Sequence, residues 1–112
     1  MNVAISDLAG VTIVELSGRL DTANVNRMET SFIAGIVPKG QHTVLDMTNV
    51  TFVASLGIRM LLSAARALNR RGAKFVMFGV SPTVADIIET TALSDIIPLI
   101  GSEAEAMAAV AG

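Results

Sequence analysis

The stretch Val44-Leu-Asp-Met-Thr-Asn-Val-Thr-Phe-Val-Ala-Ser-Leu-Gly-Ile-Arg59 passes from a short apolar run, through a polar loop, into a segment with helical periodicity. Thr43–Met47 is bounded by polar residues and mostly apolar, the pattern of a strand covered on at least one face. Beyond the loop, Ile58, Leu61, Leu62, Ala65 and Leu68 recur on one helical stripe, Arg59, Ser63, Arg66 and Arg70 fall on the other side, and Gly72 supplies the stop. A strand feeding an amphipathic helix is the repeating unit of an α/β fold. The junction also places a lone hydroxyl, Ser55, two residues before Gly57 at the mouth of the helix. The first helical N–H groups have no intrahelical partner, so an oxyanion there is favoured electrostatically.

The same grammar extends in both directions. Upstream, Val3–Leu8 and Val11–Leu16 are β-branched runs flanking Ala9-Gly10, a hairpin signal, with Gly18 as the end of the second strand. Asp21 or Thr22 can cap a helix whose Val25, Met28, Phe32 and Ile36 share a face, and Pro38-Lys-Gly40 ends it. Downstream, Lys74–Phe78 reads as a strand, and Ser81-Pro82 as an N-cap with proline at the first helical position, where a missing N–H costs nothing. Val84, Ile87, Ile88 and Thr91 supply that helix's apolar face. Ile96–Ile100 reads as a last strand at a sheet edge, since Pro98 cannot donate to a ladder, and Ser102-Glu-Ala-Glu105 is a capping box opening a final helix. The expected order is β-β-α-β-α-β-α-β-α. It implies a mixed, mostly parallel five-stranded sheet with an N-terminal antiparallel hairpin and four helices, in one domain over 1–112. The order of strands within the sheet is left open.

Composition excludes several classes of function. With 112 residues, 52% hydrophobic and 16% charged, the chain can bury enough surface to fold throughout as one core. A formal charge of −2 gives no footprint for nucleic acid. The start, Met1–Asp7, lacks the basic and apolar regions of a signal peptide, and no apolar run is long enough to span a bilayer. The expectation is a cytoplasmic protein with no direct membrane insertion. Absence of cysteine removes disulfides, thiol nucleophiles and cysteine-based zinc sites.

Little catalytic equipment remains. The single histidine, His42, sits in Lys39-Gly-Gln-His42, which reads as an exposed turn, and one histidine cannot hold a metal by itself. Neither a Gly-x-Gly-x-x-Gly fingerprint nor a P-loop is present, the aspartates are not spaced as a metal cluster, and Glu103 and Glu105 suit the first turn of a helix. The expectation is a chain that is not an enzyme and uses no cofactor and no metal. The arginines of the second helix read either as an ordinary solvated face or as a stripe facing a partner.

With these motifs in order, the chain resembles a STAS domain of the anti-sigma factor antagonist family over nearly its whole length. Glu15-Leu-Ser-Gly-Arg-Leu-Asp21 is similar to the family's strand-end L-x-G-x-L-D, and Val44–Met47 with Val50–Phe52 to its central strand and loop. Gly57-Ile58 resembles the S-G-L helix start, and Gly79-Val-Ser-Pro82 the entrance to the third helix. The resemblance implies a regulator that docks on an anti-sigma factor, typically a serine kinase with a histidine-kinase-like ATPase fold, and so releases a sigma factor. Phosphorylation by the kinase ends docking, and a PP2C-type phosphatase restores it.

The family's commonest loop reads Asp-Ser-Ser-Gly or Asp-Ser-Thr-Gly, with the phosphoacceptor immediately before the glycine. Here Ala54-Ser-Leu-Gly57 puts Leu56 at that position and Ala54 in place of the aspartate, so the candidate acceptor moves to Ser55, with Thr51 as a substitute. Ser55 can equally serve as a helix cap. The resemblance points to Asp21, Thr51, Phe52, Val53, Ser55, Gly57 and the exposed side of the second helix, including Arg59, as the docking surface, with Asp21 also able to cap its helix. Two further roles fit the same fold: a scaffold that binds without being phosphorylated, and an accessory subunit of a membrane transport system.

Overall fold

A computed structural model describes residues 1–111; the last residue of the expected domain, Gly112, lies outside them. The first two strands, β1 (Asn2–Leu8) and β2 (Val11–Leu20), form the expected antiparallel hairpin. Parallel units then follow: helix α1 (Thr22–Ile36) leads through a short 3-10 turn at Val37–Lys39 into strand β3 (Thr43–Val53), and helix α2 (Ser55–Arg70) into strand β4 (Phe75–Phe78). Helix α3 (Pro82–Thr90), a 3-10 turn at Leu93–Asp95, strand β5 (Leu99–Ile100) and helix α4 (Glu103–Ala111) complete the chain. Strand order in the sheet is β1-β2-β3-β4-β5. Helices α1, α2 and α3 pack on one face and α4 on the other.

Strand periodicity sorts the core into two unequal halves. Val14, Leu16, Leu45, Met47, Phe75 and Met77 point to the larger cluster, with Val25, Phe32, Ile36, Met60, Leu61, Ala64, Ala65, Leu68, Val84 and Ile88 of the three helices. Their alternates Val11, Val44, Val76 and Phe78 point to the smaller cluster under Ala106 and Val110 of α4. On α2 the buried stripe is therefore Gly57, Met60, Leu61, Ala64, Ala65 and Leu68, whereas Ile58 and Leu62, expected within it, are half-buried at its margin.

Three boundaries differ from expectation. β2 continues past Gly18 to Leu20, and the expected polar loop after Met47 is the second half of β3. These two extensions pair with each other, Gly18 with Val50, Arg19 with Phe52 and Leu20 with Val53, through register shifts flanking Ser17 and Gly18. Gly18 adopts φ +107°, which suits glycine and lets β2 absorb the irregularity without ending. Pairing of β3 with β4 stops at Asp46 and Phe78, so the two extensions project beyond the rest of the sheet, and polar Thr48, Asn49 and Thr51 can face water there. The last strand is shorter than expected, Leu99–Ile100 alone. Ile97 instead fills the core, and Pro98, without an N–H, accepts from Met77 N–H at 3.0 Å just before the pairing begins.

Candidate functional site

The projecting ends of β2 and β3 and the starts of α1 and α2 meet at one end of the sheet. Two caps define the geometry. Asp21 is extended and its Oδ1 accepts from Asn24 N–H at 2.9 Å, so it is the N-cap of α1. Ala54 is the N-cap of α2: its N–H donates to Leu20 C=O at 2.8 Å, and its own carbonyl accepts from Ile58 N–H at 3.0 Å. The strand ladder thus holds Ala54 extended and forces the helix to start at Ser55.

This placement corrects one of the two roles open to Ser55. It is the first helical residue, not the cap, and α2 has no side-chain cap at all. Ser55 is exposed at a helix N-terminus whose N–H groups lack a side-chain acceptor. Leu56, at the position where the family usually carries its phosphoacceptor, is half-buried and packs against the core. Ser55, one residue earlier on the helix, faces solvent where Leu56 faces the core margin.

The proposed docking residues divide by accessibility. Thr51, Ser55 and Arg59 are exposed, and Asp21 and Phe52 are half-exposed. Val53 and Gly57, expected on the surface, lie in the core instead. A Cβ on Gly57 would stand 3.0 Å from Leu20 O and 3.2 Å from Val53 Cγ1, so glycine lets α2 pass closely over the two strands and any side chain there would press on them. Both residues hold the surface in place from beneath.

One surface residue escaped the sequence reading. Arg19 stacks its guanidinium 4.5 Å from the centroid of the Phe52 ring and approaches Asp21 Oδ2 at 3.8 Å. Its carbonyl accepts from Asn24 Nδ2 at 2.8 Å, and Thr51 Oγ1 donates to Gly18 C=O at 3.4 Å. Arg19 therefore links Phe52 of β3 to Asp21 at the start of α1, and only the strand register reveals it. Elsewhere, His42 is not a free turn residue: its Nδ1 accepts Lys74 N–H at 2.8 Å, a structural bond joining the starts of β3 and β4 at the opposite end of the sheet.

Because Asp21 caps α1, Asp21→Ala should lower stability by about 1 kcal/mol, within the usual range for a lost N-cap. Thermal unfolding checks this, and an unchanged midpoint would mean the cap contributes nothing.

The family profile described as STAS domain matches residues 2–106. The chain belongs to the STAS domain family. Among its relatives, the anti-sigma F factor antagonist of Paenibacillus polymyxa is 30% identical over 102 residues, covering 88% of this chain and 85% of that one. The crystal structure of an anti-sigma factor antagonist from Mycobacterium paratuberculosis superposes with a TM-score of 0.88 at 25% identity, covering 99% and 94% of the two chains. The Bacillus cell fate determinant SpoIIAA, solved in its phosphorylated form, superposes with a TM-score of 0.71 at 19% identity, covering 97% and 99%, a likeness of fold alone. The mixed sheet of five strands with four helices is thus the STAS architecture, as the residue pattern implies. No helix of this STAS domain among the described residues is long and apolar enough to cross a membrane.

Proposed function

We propose that this STAS domain is an anti-sigma factor antagonist: it binds an anti-sigma factor, a serine kinase, and thereby releases a sigma factor. It acts as a cytoplasmic regulator and not as an enzyme. Docking uses the exposed surface made by Asp21, Thr51, Phe52, Ser55 and Arg59, together with Arg19, over the buried supports Val53 and Gly57. Phosphorylation of Ser55 ends docking, a PP2C-type phosphatase restores it, and Thr51 is the substitute acceptor.

The observation that carries this reading is the state of Ser55. It is exposed, spared from capping by Ala54, and set at the open N-terminus of α2. A phosphate there gains from the helix dipole and so leaves the fold intact, yet it places roughly −1.5 to −2 charges in the middle of the docking surface. Relatives named as anti-sigma factor antagonists support the assignment. The test is affinity capture from the source cell with mass spectrometry of what is retained. An anti-sigma factor kinase is the expected partner, and retention of membrane transporter subunits in its place would overturn the reading.

A further inference from the structure

Charge in this chain is segregated. All eight Lys and Arg residues lie at or before Lys74, while five of the ten Asp and Glu lie after it, on α3, α4 and the segment between them. Helix α2 is the extreme case, for its 16 residues include Arg59, Arg66 and Arg70 and no acidic residue. At about 100° per residue, Ser55, Arg59, Ser63, Arg66 and Arg70 fall within about 80° of one another, one stripe along the helix. All five are exposed, and among the described residues the only ion pairs are Arg19–Asp21 and Lys39–Asp7, so none of the three arginines is neutralised.

An ordinary solvated helix face mixes charge signs and gains from pairs four residues apart. Here Arg66 and Arg70 stand four apart with like charge, an arrangement that works against the helix, and a single-sign field of this kind serves association. Net charge of −2 and an acidic final third argue against nucleic acid as the occupant. Serine and asparagine beside the arginines, in place of exposed large apolar side chains, argue against a bilayer surface.

We infer that the arginine stripe of α2 is an electrostatic docking surface for an acidic face of a partner protein, and that Ser55 heads this stripe. The inference deepens the docking function proposed above and rests on it for the identity of the partner as an anti-sigma factor. It gives the switch a sign. The partner's carboxylates are drawn along Arg70, Arg66 and Arg59 toward Ser55, and a phosphate on Ser55 both repels them and offsets Arg59 one helical turn away.

The test uses the whole chain, labelled with nitrogen-15, titrated at low salt with short poly-L-glutamate as the probe. Amide shifts should concentrate at residues 55–71, and the doubly substituted R66E/R70E chain, with its spectrum otherwise intact, should bind about tenfold more weakly. Poly-L-lysine should instead move residues 82–105. Shifts spread evenly over both halves, an unaffected double variant, or tighter binding of phosphatidylglycerol vesicles or a DNA duplex at the same residues would each overturn the inference. Should poly-L-glutamate map to the stripe while affinity capture yields no anti-sigma factor, the surface stands and the anti-sigma assignment falls. The opposite pair of results removes the stripe alone.

Discussion

Ser55→Glu should weaken binding to the anti-sigma factor by about 30-fold to 1,000-fold, equivalent to roughly 2–4 kcal/mol, without a change in the far-UV spectrum. The size follows from where the carboxylate lands. It enters the centre of the docking surface, beside a partner face with which it has no hydrogen-bonding arrangement, and a like charge brought into such contact costs several kcal/mol. The fold is spared because Ser55 is exposed, makes no cap, and stands where a negative charge favours the helix dipole. Calorimetric titration against the captured kinase gives the affinity. Ser55→Ala should bind as the parent chain does, since no cap is lost with the hydroxyl. A helix signal lost in either variant would assign Ser55 to structure.

Gly57→Val should act in the opposite manner, through the fold. The new side chain meets Leu20 O, Leu20 Cβ and Val53 Cγ1 at 3.0–3.2 Å from its first atom, with backbone on one side and a packed core on the other. Overpacking of this kind costs about 1–3 kcal/mol, which for a domain of this size lowers the melting midpoint by about 4 °C per kcal/mol. Binding should weaken only as far as the start of α2 shifts and carries Ser55 with it. A variant of unchanged melting temperature that no longer binds would return Gly57 to the contact surface itself.

These two glycine and serine positions show what a linear reading can reach. Helix faces were legible because burial on one side imposes the three- and four-residue spacing of Val25, Phe32 and Ile36, and caps were legible because Asp21, Ser81 and Ser102 each satisfy an N–H three residues on. The far half of β3 was not. Thr48, Asn49 and Thr51 carry the composition of a loop because that part of the strand pairs with β2 alone and leaves much of its surface to water, so no apolar alternation is imposed on it. That boundary also decides how the start of α2 reads. With β3 taken to end at Met47, nothing in the sequence held Ala54 extended as the cap of α2, and Ser55 stood as an alternative cap.

The same ladder explains why the pairing of Arg19 with Phe52 is invisible in the linear sequence and why Val53 and Gly57, which the family resemblance points to as contact residues, lie beneath the surface. Arg19 and Phe52 are far apart in sequence and become neighbours through a register that contains two irregularities. Val53 and Gly57 flank the cap, and their side of the chain is decided by the extension of the strand: Val53 ends β3 facing the core, and Gly57 lies over Leu20. Thr51, Phe52, Ser55 and Arg59 keep the solvent access a docking role requires, Asp21 combines that access with capping, and Leu56 occupies the core margin.

The most direct measurement is to treat the purified chain with its captured kinase and ATP, locate the modification by mass spectrometry, and titrate the modified and unmodified chains against the same kinase. A single phosphate on Ser55, absent from Ser55→Ala, with affinity lost on modification, is the predicted result. A chain left unmodified at Ser55 and Thr51, or one that binds equally well with the phosphate in place, would contradict the account.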